Sequence, residues 1–122
     1  MSLDVYLMSE TPIEKKCECC GSTYTDDLIL FSNNITHNLG EMAKQANIYH
    51  HLWRPEELGI KKAYALIVPL KQALKTLRLD PVIYKKFNPE NGWGSYEGLV
   101  EFIEYYYDAC VKFPNSNIEI SR

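Results

Sequence analysis

Three closely spaced cysteines could bind a metal ion. Cys17 and Cys20 have the spacing of one half of a zinc knuckle, in which two thiolates across a turn reach the same tetrahedral ion. A structural zinc site needs four ligands, and the second half of that motif is missing. The residues that could complete the set are Cys19, Asp26, Asp27 and His37. Reduced cysteines in a hairpin turn explain the same pattern, so we expect no cofactor and keep zinc at Cys17 and Cys20 as the alternative.

A second candidate site is the polar stretch Thr36, His37 and Asn38. On a helix that begins near residue 36, His37 lies opposite the apolar residues of the same helix and is predicted to be outside the core. The positive end of a helix favours a neutral imidazole and an anion nearby. This stretch, with Arg54, therefore indicates a site for a small anionic or nucleotide ligand. The alternative is a capping cluster with a solvated histidine.

Two tryptophans are predicted to lie in turns. One belongs to Trp53-Arg54 and the other to Asn91-Gly92-Trp93-Gly94, where the glycines would let the backbone approach a ligand or another chain. Tryptophan and arginine are typical anchors of protein interfaces and typical platforms for a stacked base. We therefore expect Trp53, Arg54, Asn91 and Trp93 to contribute to a binding surface. The alternative is that both tryptophans fill the ends of the core.

Basic and acidic residues are separated along the chain. Residues 61–86 hold seven basic residues and one acidic residue, and Lys71, Lys75 and Arg78 form a stripe on one predicted helix. A solvated surface explains this stripe; phosphate recognition and pairing with an acidic helix, in the same or a second molecule, are the alternatives. That acidic helix carries Glu97, Glu101, Glu104 and Asp108.

Familiar catalytic patterns are missing from the sequence. It contains no Gly-x-Ser-x-Gly, no phosphate-binding loop, no His-Glu-x-x-His and no two carboxylates spaced to share a proton. A cysteine could be combined with His37, His50 or His51 into a dyad, but such combinations arise in almost any sequence. We therefore expect a non-catalytic protein rather than an enzyme.

The composition predicts a single globular domain over residues 1–122. Of the 122 residues 46% are apolar, and the formal net charge is −3. A net negative charge argues against a surface for duplex nucleic acid. No apolar run approaches the roughly 18 residues that span a bilayer. We therefore expect no membrane partner. The cysteine spacing is not that of a disulfide framework, so we expect a cytoplasmic protein.

Hydrophobic periodicity predicts both strands and helices. Apolar and polar residues alternate over residues 2–8 and again over residues 117–121, and we expect these two strands to pair. Helices are predicted over about residues 36–46, with Asn34 or Thr36 as the cap, and over 61–78, with a kink or break at Pro69. Further helices are predicted to begin at Arg54-Pro55, Asp80-Pro81 and Ser95.

These elements predict the α+β class. We expect a small antiparallel sheet that pairs the N- and C-terminal strands, plus a cysteine-rich hairpin. Three to four helices should cover one face of the sheet, because the helical segments each carry one apolar stripe.

Four segments of the chain have unusual residue sequences: Met1-Ser2-Leu3-Asp4-Val5-Tyr6-Leu7, Asn34-Ile35-Thr36-His37-Asn38-Leu39-Gly40, Leu52-Trp53-Arg54-Pro55-Glu56-Glu57 and Asn91-Gly92-Trp93-Gly94-Ser95-Tyr96-Glu97-Gly98. Together they resemble a family of small, functionally uncharacterised proteins encoded by bacteriophages and prophages, and the likeness runs over nearly the whole chain. The resemblance implies a viral accessory protein that acts in the cytoplasm of a bacterial host. It implies no activity and no functional residue.

Three functions are consistent with the sequence. We favour a non-catalytic phage accessory protein that binds a host factor, such as a defence protein, and inhibits or redirects it through Trp53, Arg54 and Trp93. The first alternative is a pocket for a small anionic or nucleotide ligand. The second is a zinc-supported contact with nucleic acid. Association with a second copy of the chain is compatible with each of them.

Overall fold

The computed structural model describes residues 2–9, 13–16, 21, 23–26, 28–90, 92 and 94–122. Within these ranges the chain forms the strands β1 (Ser2–Met8), β2 (Ile13–Lys16), β3 (Thr23–Asp26), β4 (Ile29–Thr36) and β5 (Asn117–Ser121). The α-helices are α1 (Gly40–Gln45), α2 (Tyr49–Trp53), α3 (Ile67–Leu79), α4 (Pro81–Lys85) and α5 (Tyr96–Lys112). Short 3-10 helices lie at His37–Leu39, Pro55–Leu58 and Ala63–Leu66. The predicted α+β class is confirmed.

β1 is the central strand of the main sheet. It pairs antiparallel with β4 on one side and with β5 on the other, so strands from the two ends of the sequence are neighbours, as predicted. Leu3, Val5 and Leu7 are fully buried, whereas the residues between them are partly exposed. This alternation turns one face of the sheet towards the core that it shares with the helices.

β2 and β3 form a separate two-stranded antiparallel sheet. They lie on either side of the cysteine segment in the sequence. Cys17, Cys19 and Cys20 themselves lie outside the described residues, and so do the predicted turn and its zinc site.

The structure differs from the prediction at Ile35, which was assigned to the apolar side of a helix. β4 continues to Thr36, and Ile35 pairs with Leu3 of β1. A three-residue 3-10 helix and the six-residue α1 follow without a break, so the helix predicted over about residues 36–46 is present at residues 37–45, with a first turn of the 3-10 type. The sequence was misleading because Ile35 has helical spacing to Leu39 and Met42, and all three are buried. Ile35, however, is buried as a strand residue, with its backbone paired in the sheet.

Other predicted helix boundaries are confirmed. Pro69 lies in the first turn of α3, directly after a separate 3-10 helix, so two helical segments abut there as expected. The Asp80 side chain accepts a hydrogen bond from the Ile83 amide at 3.4 Å and caps α4. Ser95 Oγ accepts from the Gly98 amide at 3.1 Å and caps α5.

α5 lies antiparallel to α3 and supplies much of the core. Near the end of α5, the Tyr64 amide donates to the Pro114 carbonyl at 2.9 Å, and at its start the Tyr96 hydroxyl donates to the Leu77 carbonyl at 2.8 Å. The first contact joins the 3-10 helix before α3 to the end of α5. The second joins the end of α3 to the start of α5. The buried residues of α5 are Tyr96, Leu99, Phe102, Ile103, Tyr106, Ala109 and Cys110.

Tyr106 places a hydroxyl group in the core without a partner. Its side chain is fully buried against Phe31 and Phe102, whose ring centroids each lie 5.9 Å from its own. The hydroxyl makes no hydrogen bond to any residue in the described ranges. Burial raises the pKa of this hydroxyl, so it stays protonated and neutral.

We expect Tyr106→Phe to raise the free energy of unfolding by about 1 kcal/mol. The change removes an unsatisfied buried polar group and keeps the ring that fills the core. Urea denaturation measures the effect, and Tyr64→Phe at an exposed position is the control, for which no change is expected. Loss of stability in Tyr106→Phe would mean that the hydroxyl is hydrogen-bonded in solution.

In the described part of the chain, every helix is too short or too polar to span a bilayer.

Candidate functional site

The 3-10 helix at His37–Leu39 and the helices α1 and α2 border an open groove of about 420 Å³. We call it the His37–Arg122 groove. His37, Trp53 and Arg54, three of the residues predicted for a binding site, meet in it. The full lining consists of His37, Gly40, Glu41, Lys44, Tyr49, Trp53, Arg54 and Arg122.

A hydrogen bond between two side chains determines the tautomer of His37. The Trp53 indole N–H donates to His37 Nδ1 at 2.7 Å. Because an indole nitrogen is a donor only, Nδ1 must be unprotonated, and the neutral ring carries its proton on Nε2. His37 therefore offers one hydrogen-bond donor and no free lone pair. Such a ring is suited to donate a hydrogen bond to an anionic group.

Trp53 is a core residue. It is the last residue of α2, only 3% of it is exposed, and its ring stacks on that of Tyr49 with the centroids 5.3 Å apart. The prediction that Trp53 lies in a turn is wrong, because a helix as short as α2 has too few residues for its periodicity to show. The alternative, that the ring fills one end of the core, is confirmed for Trp53.

Tyr49 links two cations of the groove. Lys44 Nζ lies 4.8 Å from the centroid of the Tyr49 ring, within the range of a cation–π contact. The Arg54 guanidinium interacts with the Tyr49 side chain and with Glu57, whose carboxylate lies 3.1 Å from Nη1. The pKa of Arg54 is raised above its usual value, mainly by a hydrogen bond to Tyr49 and also by the one to Glu57. Arg54 is therefore a permanent cation.

Arg122 was missed in the sequence analysis. Its Nη1 donates to the Trp53 carbonyl at 2.9 Å and also pairs with the Glu56 carboxylate. Arg122 and Trp53 are 69 positions apart, and no local pattern near residue 122 indicates the contact. Lys44 and Tyr49 were missed as well, because their roles depend on how α1 and α2 pack against each other.

The charges in the groove favour an anion. Lys44, Arg54 and Arg122 line it together with one carboxylate, that of Glu41, which accepts a hydrogen bond from Gln45 Nε2 at 3.1 Å. Both arginines also pair with glutamates that do not line the groove, whereas Lys44 has no carboxylate partner in the described ranges. Among the lining residues the cations outnumber the carboxylates, and Lys44 is the cation that no ion pair in the described ranges offsets, so it is the main attraction for an anionic ligand.

Thr36 and Asn38 do not belong to the lining of the groove. Thr36 ends β4, and its Oγ1 accepts from the Asn38 amide at 3.3 Å, which confirms Thr36 as a cap. The helical pieces that follow have three and six residues and are too short to supply the anion-binding helix end that the sequence suggested. Ligand contacts of Thr36 and Asn38 therefore stay predictions.

Gly94, which follows the second tryptophan in the sequence, packs against the same region. Gly94 has a φ of 105°, and a Cβ atom there would lie 2.8 Å from Thr36 Cγ2 and 3.0 Å from Leu39 Cγ. The glycine therefore permits close packing within the chain, on the residues that flank His37. Asn91 and Trp93 lie outside the described residues, and their roles in binding stay predictions.

Part of the basic stripe pairs with the acidic helix of the same molecule. Arg78 Nη2 lies 3.0 Å from Glu104 Oε1, and Lys85 Nζ lies 3.4 Å from Glu97 Oε1. All four side chains are about half exposed or more, so these pairs contribute little to stability. Four other charged residues form no ion pair within the described ranges. They are Lys71 and Lys75 on α3 and Glu101 and Asp108 on α5.

The side chain of His51, a residue of α2, borders a cavity that α3 also lines. Its Nδ1 is buried and has no hydrogen-bond partner in the part of the chain that the structure describes. The ring borders a cavity of about 220 Å³ whose other lining residues include Asn47, Gln72 and Thr76. The pKa of His51 is lowered mainly by burial of the ring and also by the charge of the neighbouring His50.

We expect the free energy of unfolding to fall as the pH drops below about 6.5. The pKa of His51 is lower in the folded than in the unfolded chain, so the unfolded chain binds the proton first. The stabilising contribution of His51 is complete at a pH above its pKa in the unfolded chain. It is lost as the pH falls towards its pKa in the folded chain.

Urea denaturation at about pH 7.5 and about pH 5.5 measures this dependence. It should be smaller in His51→Gln than in the His50→Gln control, because the His50 side chain is exposed. An equal pH dependence in the two variants would contradict the assignment to His51.

No metal site is evident in the described ranges. No three His, Cys, Asp or Glu side chains there lie close enough together to hold an ion. Cys110 is fully buried on the core face of α5, as predicted, and burial raises the pKa of its thiol to about 12. Because Cys17 and Cys20 lie outside these ranges, the zinc alternative stays a prediction.

The site predicted from the sequence is thus partly assembled. His37, Trp53 and Arg54 converge on one groove, which also contains the unpredicted Lys44 and Arg122. The chain shows no significant match to any protein-family model, to any curated protein or to any solved structure.

Proposed function

We propose that the protein is a non-catalytic binding protein whose His37–Arg122 groove takes the anionic group of a small ligand, a phosphate or a carboxylate. The observation that carries the proposal is the convergence of Lys44, Arg54 and Arg122 on a groove that His37 also lines, with its Nδ1 bonded to the Trp53 indole. Cationic side chains and a neutral imidazole N–H are suitable donors for oxyanions.

The groove is ordered by contacts within the chain. Trp53 is buried and stacked on Tyr49, and its carbonyl accepts the hydrogen bond of Arg122. Side chains that already have partners lose less conformational entropy when a ligand binds. Each guanidinium has five N–H donors, so Arg54 and Arg122 can bind an anion while they keep their glutamate partners.

Lys44 should contribute most to the attraction of an anion. It is the cation of the groove that no described carboxylate neutralises. Its contact with the Tyr49 ring holds the ammonium group beside the groove without cancelling its charge. Removal of Lys44 therefore tests the groove with little risk to the fold, since the side chain is exposed.

The small ligand is preferred over a host protein bound through Trp53, Arg54 and Trp93. Protein interfaces depend on large exposed anchors, and 3% exposure leaves Trp53 almost no surface for one. The phage context implied by the sequence resemblance is part of the proposal. In that context the ligand would be a small anionic compound of the bacterial cell, such as a nucleotide.

Nuclear magnetic resonance titration with inorganic phosphate, AMP and succinate tests the groove. The reporter is the indole N–H signal of Trp53, which is hydrogen-bonded to His37 and can be assigned with the variant Trp93→Phe. We expect at least one probe to shift this signal saturably. Lys44→Ala should weaken binding about tenfold.

Lys86→Ala is the matched control, because it removes one exposed positive charge directly after α4, outside the lining of the groove. Binding should be unchanged in this variant. Absence of a saturable shift with all three probes, or equal weakening in Lys44→Ala and Lys86→Ala, would refute the proposal.

A further inference from the structure

The outer faces of α3 and α5 form a surface on which basic and acidic residues lie side by side. Lys71 and Lys75 are exposed on α3, and Glu101 and Asp108 are exposed on α5. None of the four forms an ion pair in the described ranges. We call this surface the α3–α5 face.

The charges of the two helices lie at matching heights. The helices are antiparallel, and the hydrogen bond from the Tyr64 amide to the Pro114 carbonyl marks one common end. Counting from that end with the helical rise of about 1.5 Å per residue places Lys71 near the level of Asp108. In the same way Lys75 lies within about 3 Å of the level of Glu101, a difference that the long lysine side chain can span.

Exposed apolar side chains accompany these charges. On α3, Val68 is 62% exposed and Leu79 is 76% exposed, and both lie on the same side of the helix as Lys75. On α5, Tyr105 is 55% exposed between the two acidic residues. Apolar side chains framed by charges are typical of surfaces that contact another protein.

We propose that the α3–α5 face binds a second copy of this chain. A two-fold axis parallel to the helices and between them sets α3 of each protomer on α5 of the other. Because the heights match, Lys75 then faces the partner's Glu101, and Lys71 faces the partner's Asp108, each twice in the dimer. Such an isologous contact uses the same face of both protomers and closes at two.

The charge pattern selects a second copy over other partners. An acidic protein or a nucleic acid would be attracted by α3 and repelled by α5, and a basic protein would meet the reverse. Only a partner with a basic and an acidic half in matching register avoids like charges along both helices. This chain carries that pattern itself. The inference does not depend on the proposed groove, whose lining lies on other elements.

Charge reversal tests the proposal by sedimentation equilibrium at low ionic strength. The wild-type protein should reach twice the mass of the chain at high-micromolar concentration. Lys75→Glu and Glu101→Lys should each raise the dissociation constant of the dimer at least about tenfold, because like charges then face each other twice. An equimolar mixture of these two variants should dimerise again, since both of its cross pairs are opposite in charge.

Lys61→Glu is the control, because it reverses an exposed charge outside the α3–α5 face and should leave the dimer unchanged. Circular dichroism confirms that each variant is folded. The proposal is overturned by a wild-type protein that stays monomeric, by a dimer that tolerates both reversals, or by a mixture that does not reassociate. A dimer lost equally in Lys61→Glu would overturn it as well.

Discussion

Phe102→Ala is expected to lower the free energy of unfolding by about 3 to 5 kcal/mol. Phe102 is 3% exposed on the inner side of α5, and its ring packs edge-on against that of Tyr106 with the centroids 5.9 Å apart. Truncation leaves a cavity between α5 and the rest of the core, which the packed neighbours can fill only partly. Urea denaturation followed by circular dichroism measures the loss.

Glu97→Ala is the matched control on the same helix. The Glu97 side chain is 65% exposed and lies 3.4 Å from Lys85 Nζ, so it forms a surface ion pair of little energetic value. The urea midpoint of this variant should stay close to that of the wild type. A midpoint that Phe102→Ala also leaves unchanged would mean that α5 presents a different face to the core.

Gly94→Ala is expected to lower the free energy of unfolding by about 3 kcal/mol. Two physical causes add up at this position. A φ of 105° is unfavourable for any residue with a Cβ atom, and the new methyl group would lie 2.8 Å from Thr36 Cγ2 and 3.0 Å from Leu39 Cγ. The clash also displaces the residues on either side of His37, so the indole signal of Trp53 should shift in the variant.

Gly92→Ala separates these two causes. Gly92 also has a positive φ, of 76°, but nothing lies within 4 Å of the position that its Cβ would take. The variant should therefore lose about 1 kcal/mol from backbone strain alone. Equal losses in Gly92→Ala and Gly94→Ala would show that the loop does not pack on Thr36 and Leu39 in solution. Thermal melts of the two variants make the comparison.

Much of the fold could be predicted because its signals are local. The alternation in residues 2–8 and 117–121 follows from the two faces of a strand, and β1 and β5 carry it clearly. Caps are equally local, since Asp80 and Ser95 each satisfy an amide three residues further on. α5 is long enough for its apolar and acidic faces to be distinct in the sequence.

The groove could be predicted only in part, because its decisive contacts are distant in the sequence. His37 and Arg54 were singled out by residue type, but the bond from Trp53 to His37 depends on how α2 packs beside the end of β4. Arg122 depends on the position of β5 in the sheet. Ile35 shows the opposite error, in which helical spacing was chance and sheet pairing decided the structure.

The central position of β1 also affects the order in which the protein folds. β1 and β4 are near each other in the sequence and can pair early, but β5 joins β1 only by closing a loop of almost the whole chain. Such long-range pairing costs loop-closure entropy and slows folding. During synthesis on the ribosome, the main sheet stays two-stranded until β5 has emerged. Because Arg122 directly follows β5, we expect this cation to join the groove only once β5 has paired with β1.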